Sequence, residues 1–311
     1  MIHSNSEGDI YIEEMPLLLV HLREEEKGAD ARLSEVLSYA LDGYAYETAT
    51  EISAFEDYVN RWRRLEKTQN RKNPVQGRIL FAVPLGTSGI NLELYCLIRF
   101  LREHPDFLNG FVGGLLVDSE NDLYSKSAAK DLVFAANCAG CAFVGRPLVE
   151  GTRTLSNYTI VSNNLGTDLM GAYRESAAGL VKEVLGTDCV RKKCPKVLVL
   201  HASSHKTSNT YAIWNRVKEQ LPEMEIREIG LRNGTLSDCA GCPYKMCLHF
   251  GEQGSCFYGG VMVEDVYPAV READAIVMLC PNYNDALSAN LTAFINRLTS
   301  LFRTTRFYDK A

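Results

Sequence analysis

The sequence has little of what marks membrane, secreted or nucleic-acid-binding proteins. Nowhere in its 311 residues do about 18 apolar residues follow one another, as a membrane-spanning helix requires. The N-terminus lacks the basic start and apolar run of a signal peptide. Asp and Glu (39) outnumber Lys and Arg (33), so the excess positive charge from which nucleic-acid binders gain affinity is missing. We therefore expect a cytoplasmic protein that binds neither membranes nor nucleic acid.

Cysteine, in contrast, is frequent, with ten residues in the chain. In a protein that is not secreted, cysteines are more often thiols or metal ligands than disulfides. Hydrophobic residues make up 46% and charged residues 23%, which is ordinary for a globular protein. At roughly 100 to 200 residues per domain, the length indicates two domains.

Short apolar runs alternate with amphipathic stretches, which predicts strands alternating with helices. The predicted strands are residues 15–21, 79–83, 111–117, 141–144 (with Pro147 beyond its end), 197–200, 225–229 and 275–279. This order is typical of a doubly wound α/β fold, in which helices cover both faces of a parallel sheet. A charged stretch separates a first α/β domain of unknown role, residues 1–188, from a second, residues 195–311.

The two domains could be diverged copies of one unit. Residues 79–91 and 197–209 both run from a strand through a small polar loop and an Asn into a helix. If these segments are equivalent, the cysteine-rich loop of the second half is an insertion in one copy.

A polar loop follows the strand at residues 197–200 and opens a helix. Its side chains are Ser203, Ser204, His205, Lys206, Thr207, Ser208, Asn209 and Thr210. Free N–H groups and the positive end of a helix dipole favour an anion, and hydroxyls with a lysine suit a phosphate. The glycine and lysine patterns of the dinucleotide and Walker motifs are absent. Two interpretations stay open: a phosphate site, or a loop whose Ser208 or Asn209 merely caps the helix.

A second loop follows the strand at residues 275–279. It contains Pro281, Asn282, Tyr283 and Asn284. In a doubly wound sheet, the loops after the first and third strands flank the crevice where a ligand binds. Tyr283 could lie against a planar ring while loop amides meet its polar edge. The alternative is a turn with a buried tyrosine.

Four cysteines lie close together in the second half, with the spacing Cys239-x2-Cys242-x4-Cys247-x8-Cys256. A short loop can bring soft thiolate ligands onto one metal site. An iron-sulfur cluster, a zinc ion and metal-free thiols are all compatible with this spacing.

Taken in order, these motifs resemble the NADPH-dependent FMN reductase family, closest to the branch that contains iron-sulfur flavoproteins. The resemblance also rests on residues 273–277, 288–289 and 294–297, and it covers about residues 196–300. It implies a flavodoxin-like fold that binds FMN, with the phosphate on the 203–210 loop and the isoalloxazine beside residues 281–284. Relatives of this family are commonly dimers or tetramers, so the resemblance also implies a homo-oligomer.

The resemblance implies an FMN-dependent oxidoreductase that passes electrons from NAD(P)H or a reduced carrier to a quinone, flavin or protein acceptor. In iron-sulfur flavoproteins a compact four-cysteine motif at this position holds a [4Fe-4S] cluster, whereas here the second and third gaps are longer. A flavodoxin-like domain also has two further strands beyond residue 302, so the chain is truncated, the first half completes the sheet, or the flavin site is partial. A non-catalytic interaction module with a structural zinc and a thiol redox sensor remain alternative functions.

Overall fold

The computed structural model describes residues 2–4, 10–12, 15–23, 27–68, 76–189, 192–202, 208–232, 234–282 and 284–302. The chain divides into two compact units, residues 1–190 and 191–311. No helix in these described ranges combines the length and apolar composition needed to cross a bilayer.

The first unit contains a small antiparallel pair and a larger parallel sheet. Strands β1 (Ile2–Ser4) and β2 (Ile10–Ile12) form the pair. The parallel strands are β3 (Leu17–His21), β4 (Tyr46–Ala49), β5 (Gly77–Leu85), β6 (Phe111–Ser119) and β7 (Ala142–Gly151). The helices are α1 (Lys27–Ala40), α2 (Ile52–Thr68), α3 (Leu92–Glu103), α4 (Ser125–Cys138), α5 (Thr159–Leu165), which follows a 3₁₀ turn (Ser156–Tyr158), and α6 (Leu169–Gly186).

The order of the five parallel strands is β4-β3-β5-β6-β7. Numbered along the chain, this is the order 2-1-3-4-5 of the flavodoxin-like fold. Alternate residues of each strand face opposite sides: Leu18 and Phe81 pack with α2, α3 and α4, whereas Leu19 and Leu80 pack with α1 and α6. The predicted doubly wound parallel sheet is therefore confirmed for this unit.

The last strand of this sheet is longer than predicted. β7 continues to Gly151, and its register with β6 shifts between Gly113 and Leu115. Pro147 therefore lies inside the strand and not beyond it. Because β7 is an edge strand with a bulge, a residue that cannot donate a hydrogen bond is tolerated there.

The second unit has a smaller parallel sheet. Its described strands are β8 (Lys196–His201), β9 (Glu225–Gly230) and β10 (Ala275–Leu279). Its described helices are α7 (Asn209–Lys218), α8 (Tyr244–Glu252), α9 (Tyr267–Glu272), which follows a π-helical turn (Met262–Val266), α10 (Ala289–Arg297) and α11 (Thr299–Phe302). The order β10-β8-β9 corresponds to the first three strands of the flavodoxin-like order, so two flavodoxin-like halves fit the chain.

The strand order corrects the predicted equivalence between the two halves. Residues 79–91 begin within β5, the third parallel strand of the first unit, whereas residues 197–209 begin within β8, the first strand of the second. The topological counterpart of β8 is β3, and both strands end in a histidine, His21 and His201. Short apolar strands resemble one another wherever they lie in a sheet, so the local pattern matched the wrong pair.

A buried ion pair fixes the carboxyl edge of the first sheet. The carboxylate of Asp118, on β6, is fully buried and accepts hydrogen bonds from Arg32 of α1 at 2.6 to 3.1 Å. The same guanidinium donates to the Ser119 and Arg153 carbonyls, so one side chain joins α1 to the ends of β6 and β7. Burial raises the pKa of Asp118, although Arg32 opposes this shift. Arg32 is therefore the partner that offsets part of the cost of burying the Asp118 carboxylate.

We expect Arg32→Met to lower the free energy of unfolding of the first unit by about 3 kcal/mol or more at pH 7, since it leaves a buried charge unpaired. Loss of the guanidinium raises the pKa of Asp118 further, so the destabilisation should shrink as the pH falls and the carboxyl becomes protonated. Urea unfolding at pH 7 and pH 5 measures this loss, with Trp62 fluorescence as the signal in a Trp214→Phe background.

The control for this experiment is Arg32→Met combined with Asp118→Leu, which removes both charges and should be more stable than the single variant. The role of the Arg32–Asp118 ion pair would be contradicted by an equal loss of unfolding free energy at both pH values. A double variant no more stable than Arg32→Met would contradict it as well.

Candidate functional site

The strand order of the second unit creates a switch point between β8 and β10. β9 lies on one side of β8 and β10 on the other, and all three strands are parallel. Their carboxyl ends, at His201, Gly230 and Leu279, therefore share one edge of the sheet. In open α/β sheets, ligands bind in the crevice at this point. Both predicted loops follow the strands that meet there.

The helix after β8 begins with a side-chain cap. Ser208 Oγ accepts a hydrogen bond from the Tyr211 backbone N–H at 3.3 Å, so the capping interpretation of Ser208 holds. Asn209 and Thr210 form the first turn, where most N–H groups have no partner within the helix. The cap uses one of these groups and leaves the others available to an anion. Outside the described residues lie Ser203, Ser204, His205, Lys206 and Thr207.

The loop after β10 is a turn closed by its own side chains. Asn282 Oδ1 accepts a hydrogen bond from the Asp285 backbone at 2.8 Å, and its Nδ2 donates to the Asp285 carboxylate at 3.2 Å. Asn284 and Asp285 both have left-handed φ angles, 51° and 57°, which these two residue types tolerate. Pro281 precedes the turn, and Tyr283 lies outside the described residues. The Asn282 side chain therefore stabilises the turn itself, independently of any ligand.

Two buried polar atoms at this edge have no hydrogen-bond partner among the described residues: His201 Nδ1 and Ser288 Oγ. The His201 ring lies against Tyr211, with centroids 5.2 Å apart. Ser288 is the N-cap residue of α10, yet its hydroxyl accepts no capping bond. Such atoms are rare in folded proteins and commonly mark a bound ligand or water. Neither residue was among the predicted binding residues, although a serine directly before a helix is a recognisable signal.

Hydrogen bonds join the ends of β8 and β9 to each other and to α10. The Leu231 N–H donates to the His201 carbonyl at 2.8 Å, and Asn290 Nδ2 donates to the Leu231 carbonyl at 2.7 Å. A Cβ added to Gly230 would lie 3.2 Å from His201 Cε1, so the absence of a side chain allows the close approach of the ring. The edge is thus held in place before any ligand binds.

A carboxylate on β9 anchors the helix whose N-terminus faces this edge. Glu228 accepts hydrogen bonds from Tyr211 Oη at 2.6 Å, Trp214 Nε1 at 3.2 Å and Lys218 Nζ at 2.8 Å, all on α7. Burial alone would raise the pKa of Glu228, but the bonds from Lys218, Tyr211 and Trp214 together lower it from 4.5 to about 2. The carboxylate therefore stays charged at neutral pH and fixes α7 on the sheet.

The described residues show no metal site at the four predicted ligands. Cys239, Cys242, Cys247 and Cys256 form no disulfide in the part of the chain that the structure describes. Within the described ranges, no group of three or more Cys, His, Asp or Glu side chains could hold a metal ion. A hydrogen bond with Cys242 raises the pKa of Tyr258, and the nearby Cys256 and Cys239 raise it further. The described residues therefore give no evidence for a [4Fe-4S] cluster or a zinc ion, and the metal role of these cysteines stays a prediction.

The parallel sheet, its switch point and the capped helix behind it define the second unit as a flavodoxin-like α/β domain. Residues 195–311 match the family model of the NADPH-dependent FMN reductases. The family resemblance is therefore confirmed for this part of the chain. No curated protein matches the chain.

The described residues at this edge fit FMN. The first turn of α7 offers backbone N–H groups to a phosphate. His201 Nδ1 and Ser288 Oγ offer polar atoms that lack partners among the described residues. No acidic side chain occupies the first turn of α7 or of α10, so neither helix start repels an anion with its own charge.

We expect Glu228→Gln to lower the free energy of unfolding of the second unit by about 1 to 2 kcal/mol at pH 7. Because the folded pKa lies below the unfolded value, the contribution of Glu228 is present above pH 4.5 and is lost as the pH falls towards 2. The difference between wild type and variant should therefore narrow over this range. Urea unfolding followed by Trp214 fluorescence in a Trp62→Phe background measures it, and a constant difference would contradict the role of Glu228.

Proposed function

We propose that the second unit is an FMN-dependent oxidoreductase that accepts electrons from NAD(P)H. The family match over residues 195–311 supports the class of reaction. The observation that carries the assignment is that the α7 N-terminus and the unpartnered atoms His201 Nδ1 and Ser288 Oγ all belong to the segments at or after the carboxyl ends of β8 and β10. FMN supplies the hydride and single-electron chemistry when bound, and the protein supplies binding, orientation and electrostatics.

In this proposal the FMN phosphate binds the loop after β8. Lys206 supplies the positive charge, and Ser203, Ser204, Thr207 and the α7 amides supply hydrogen bonds. His205, Ser208, Asn209 and Thr210 complete the predicted set. Glu228 acts through α7: it holds the helix on the sheet and so keeps the helix N-terminus at the crevice.

The isoalloxazine lies beside the turn after β10, formed by Pro281, Asn282, Tyr283 and Asn284. The two left-handed residues, Asn284 and Asp285, turn the backbone sharply and leave the turn exposed at the edge. Ser288 Oγ is a hydrogen-bond partner for a polar atom of the ring system or the ribityl chain. This role would satisfy a hydroxyl that has no partner among the described residues.

Electrons leave to a quinone, a flavin or a protein acceptor in this proposal. The predicted [4Fe-4S] cluster and the alternative structural zinc gain no support from the described residues, and no electron transfer is assigned to either. The free thiols near Tyr258 favour the remaining alternative, a loop that senses oxidants. A cytoplasmic location and a homo-oligomeric state stay predictions.

Lys206→Ala tests the proposed phosphate site. We expect it to weaken FMN binding at least about ten-fold, since it removes a charge-assisted contact, and to change riboflavin binding less than about two-fold. Riboflavin has the same ring system but no phosphate, so the comparison isolates the phosphate contact. Quenching of flavin fluorescence measures both affinities, and Lys245→Ala, an exposed lysine on α8, is the matched control.

Turnover tests the function itself. The FMN-loaded full chain should oxidise NADPH or NADH in the presence of a quinone, and the rate should fall with FMN occupancy in the Lys206→Ala variant. A chain that stays colourless with excess FMN and contains stoichiometric zinc would overturn the proposal in favour of a non-catalytic module. If Lys206→Ala weakens FMN and riboflavin binding equally, Lys206 does not contact the phosphate, and the proposed phosphate site is wrong.

A further inference from the structure

The two units share a strand order, so polar groups at the carboxyl edge of one sheet have counterparts at the edge of the other. β3 and β5 of the first unit correspond to β8 and β10 of the second. The helices that follow these strands, α1 and α3, correspond in the same way to α7 and α10. In the second unit, His201 Nδ1 and Ser288 Oγ have no partner among the described residues. The first unit shows whether the fold itself leaves such atoms unpartnered.

The histidine that ends the first parallel strand has a partner in the first unit. His21 Nε2 and Asp30 Oδ1 form a hydrogen bond at 3.0 Å, and Asp30 lies in the first turn of α1. His201 ends β8 at the corresponding place, but the first turn of α7 contains no acidic residue. The first unit therefore supplies from its own helix a contact that has no counterpart among the described residues of the second.

The cap of α3 spans the crevice of the first unit. Asn91 is the N-cap residue, and it is 1% exposed. Its Oδ1 accepts a hydrogen bond from the Leu94 N–H at 2.9 Å, while its Nδ2 donates to the Pro84 carbonyl at 2.8 Å and the Arg23 carbonyl at 2.9 Å. Pro84 belongs to β5 and Arg23 follows β3, so one side chain bridges the two strands at the switch point. The corresponding cap residue of α10, Ser288, makes no capping bond.

A carboxylate lies against the start of α1, the helix that corresponds to α7. Glu120 follows β6, and its backbone N–H donates to the Leu85 carbonyl at 3.0 Å, which fixes the end of β6 against β5. A Cβ added to Gly28, in the first turn of α1, would overlap Glu120 Oε1 and lie 2.7 Å from its Cδ. The absence of a side chain at Gly28 therefore allows the carboxylate to approach the helix. Negative charge is favourable there, because the free N–H groups and the helix dipole create a positive potential.

We propose that the first unit is a closed copy of the fold, in which its own side chains fill the positions that a ligand takes in the second. The Glu120 carboxylate occupies the place of the phosphate at the start of α1, and Asn91 spans the crevice. The chain then binds one FMN, on the second unit, a consequence that rests on the proposed function.

The charge of the two loops supports this proposal. The sequence between β3 and α1 contains Glu24, Glu25 and Glu26 with one arginine, whereas the sequence between β8 and α7 contains Lys206 and no acidic residue. A phosphate carries up to two negative charges, so a loop with an excess of glutamate disfavours it. The Glu120 carboxylate brings a single negative charge, and it loses no translational freedom because it belongs to the chain.

Acetate tests the position of the Glu120 carboxylate, because it matches the atoms that Glu120→Ala removes. We expect this variant to lower the urea midpoint of the first unit at pH 7. Acetate should restore the midpoint, with an apparent dissociation constant at least about ten-fold below that for wild type, and potassium chloride at the same concentration should not. Trp62 fluorescence in a Trp214→Phe background measures the midpoint.

Two further variants complete the comparison. Glu120→Gln removes the charge without opening space, so it should lose stability and gain no response to acetate. Glu56→Ala, which changes an exposed glutamate on α2, is the matched control and should show neither effect. An unchanged midpoint in both Glu120 variants would overturn the proposal, as would acetate that stabilises wild type and Glu120→Ala equally.

Flavin titration tests the stoichiometry separately. Wild type should bind one FMN per chain at saturation, and Lys206→Ala should weaken that single site. Two FMN per chain, one of them unaffected by Lys206→Ala, would place a flavin on the first unit and overturn the proposal. A chain that binds no FMN would overturn the proposed function, while the acetate comparison, which requires no flavin, would still decide whether Glu120 fills the anion position.

Discussion

Burial of both faces of a parallel sheet is the constraint on which this structure depends. In the first unit, five parallel strands are enclosed between α2, α3 and α4 on one face and α1 and α6 on the other. The strands can therefore be apolar along their whole length, and polar residues collect where the strands end. The same constraint acts in the second unit, where Leu198 and Leu200 of β8 pack with the π-helical turn, α9 and α10, and Val197 and Val199 pack with Trp214 of α7. The candidate site lies where this burial ends.

The candidate site exists because parallel strands end at a common edge. After Lys196 at the start of β8, the side chains of β8 up to His201 and all those of β10 are apolar, so imidazole, hydroxyl and amide groups become available only from the strand ends onwards. Leu231 and Asn290 hold the strand ends in register through hydrogen bonds, and Glu228 holds α7 behind them. Binding groups on such an edge need little rearrangement on ligand binding, which lowers the entropic cost of association.

The cysteine loop shows the limit of an argument from spacing. Four thiols within a short segment are compatible with a metal site, but spacing along the chain does not set the direction of each side chain. Among the described residues, Cys242 shares a hydrogen bond with Tyr258. No group of three or more Cys, His, Asp or Glu side chains there is arranged to hold a metal ion. The family match therefore supports the flavodoxin-like sheet, whereas a metal role for these thiols stays a prediction.

The sequence by itself determined the elements that depend on local pattern. Alternating apolar and amphipathic segments predicted the α/β class, and a serine before an amphipathic run predicted the start of α7. Only the tertiary structure decided that β8 corresponds to β3 and not to β5, and that Ser288 and His201 are left with unpartnered buried atoms among the described residues. Periodicity reports which side of an element is apolar, because that property is local. Strand neighbours and hydrogen-bond partners come from distant parts of the chain, so the local pattern does not contain them.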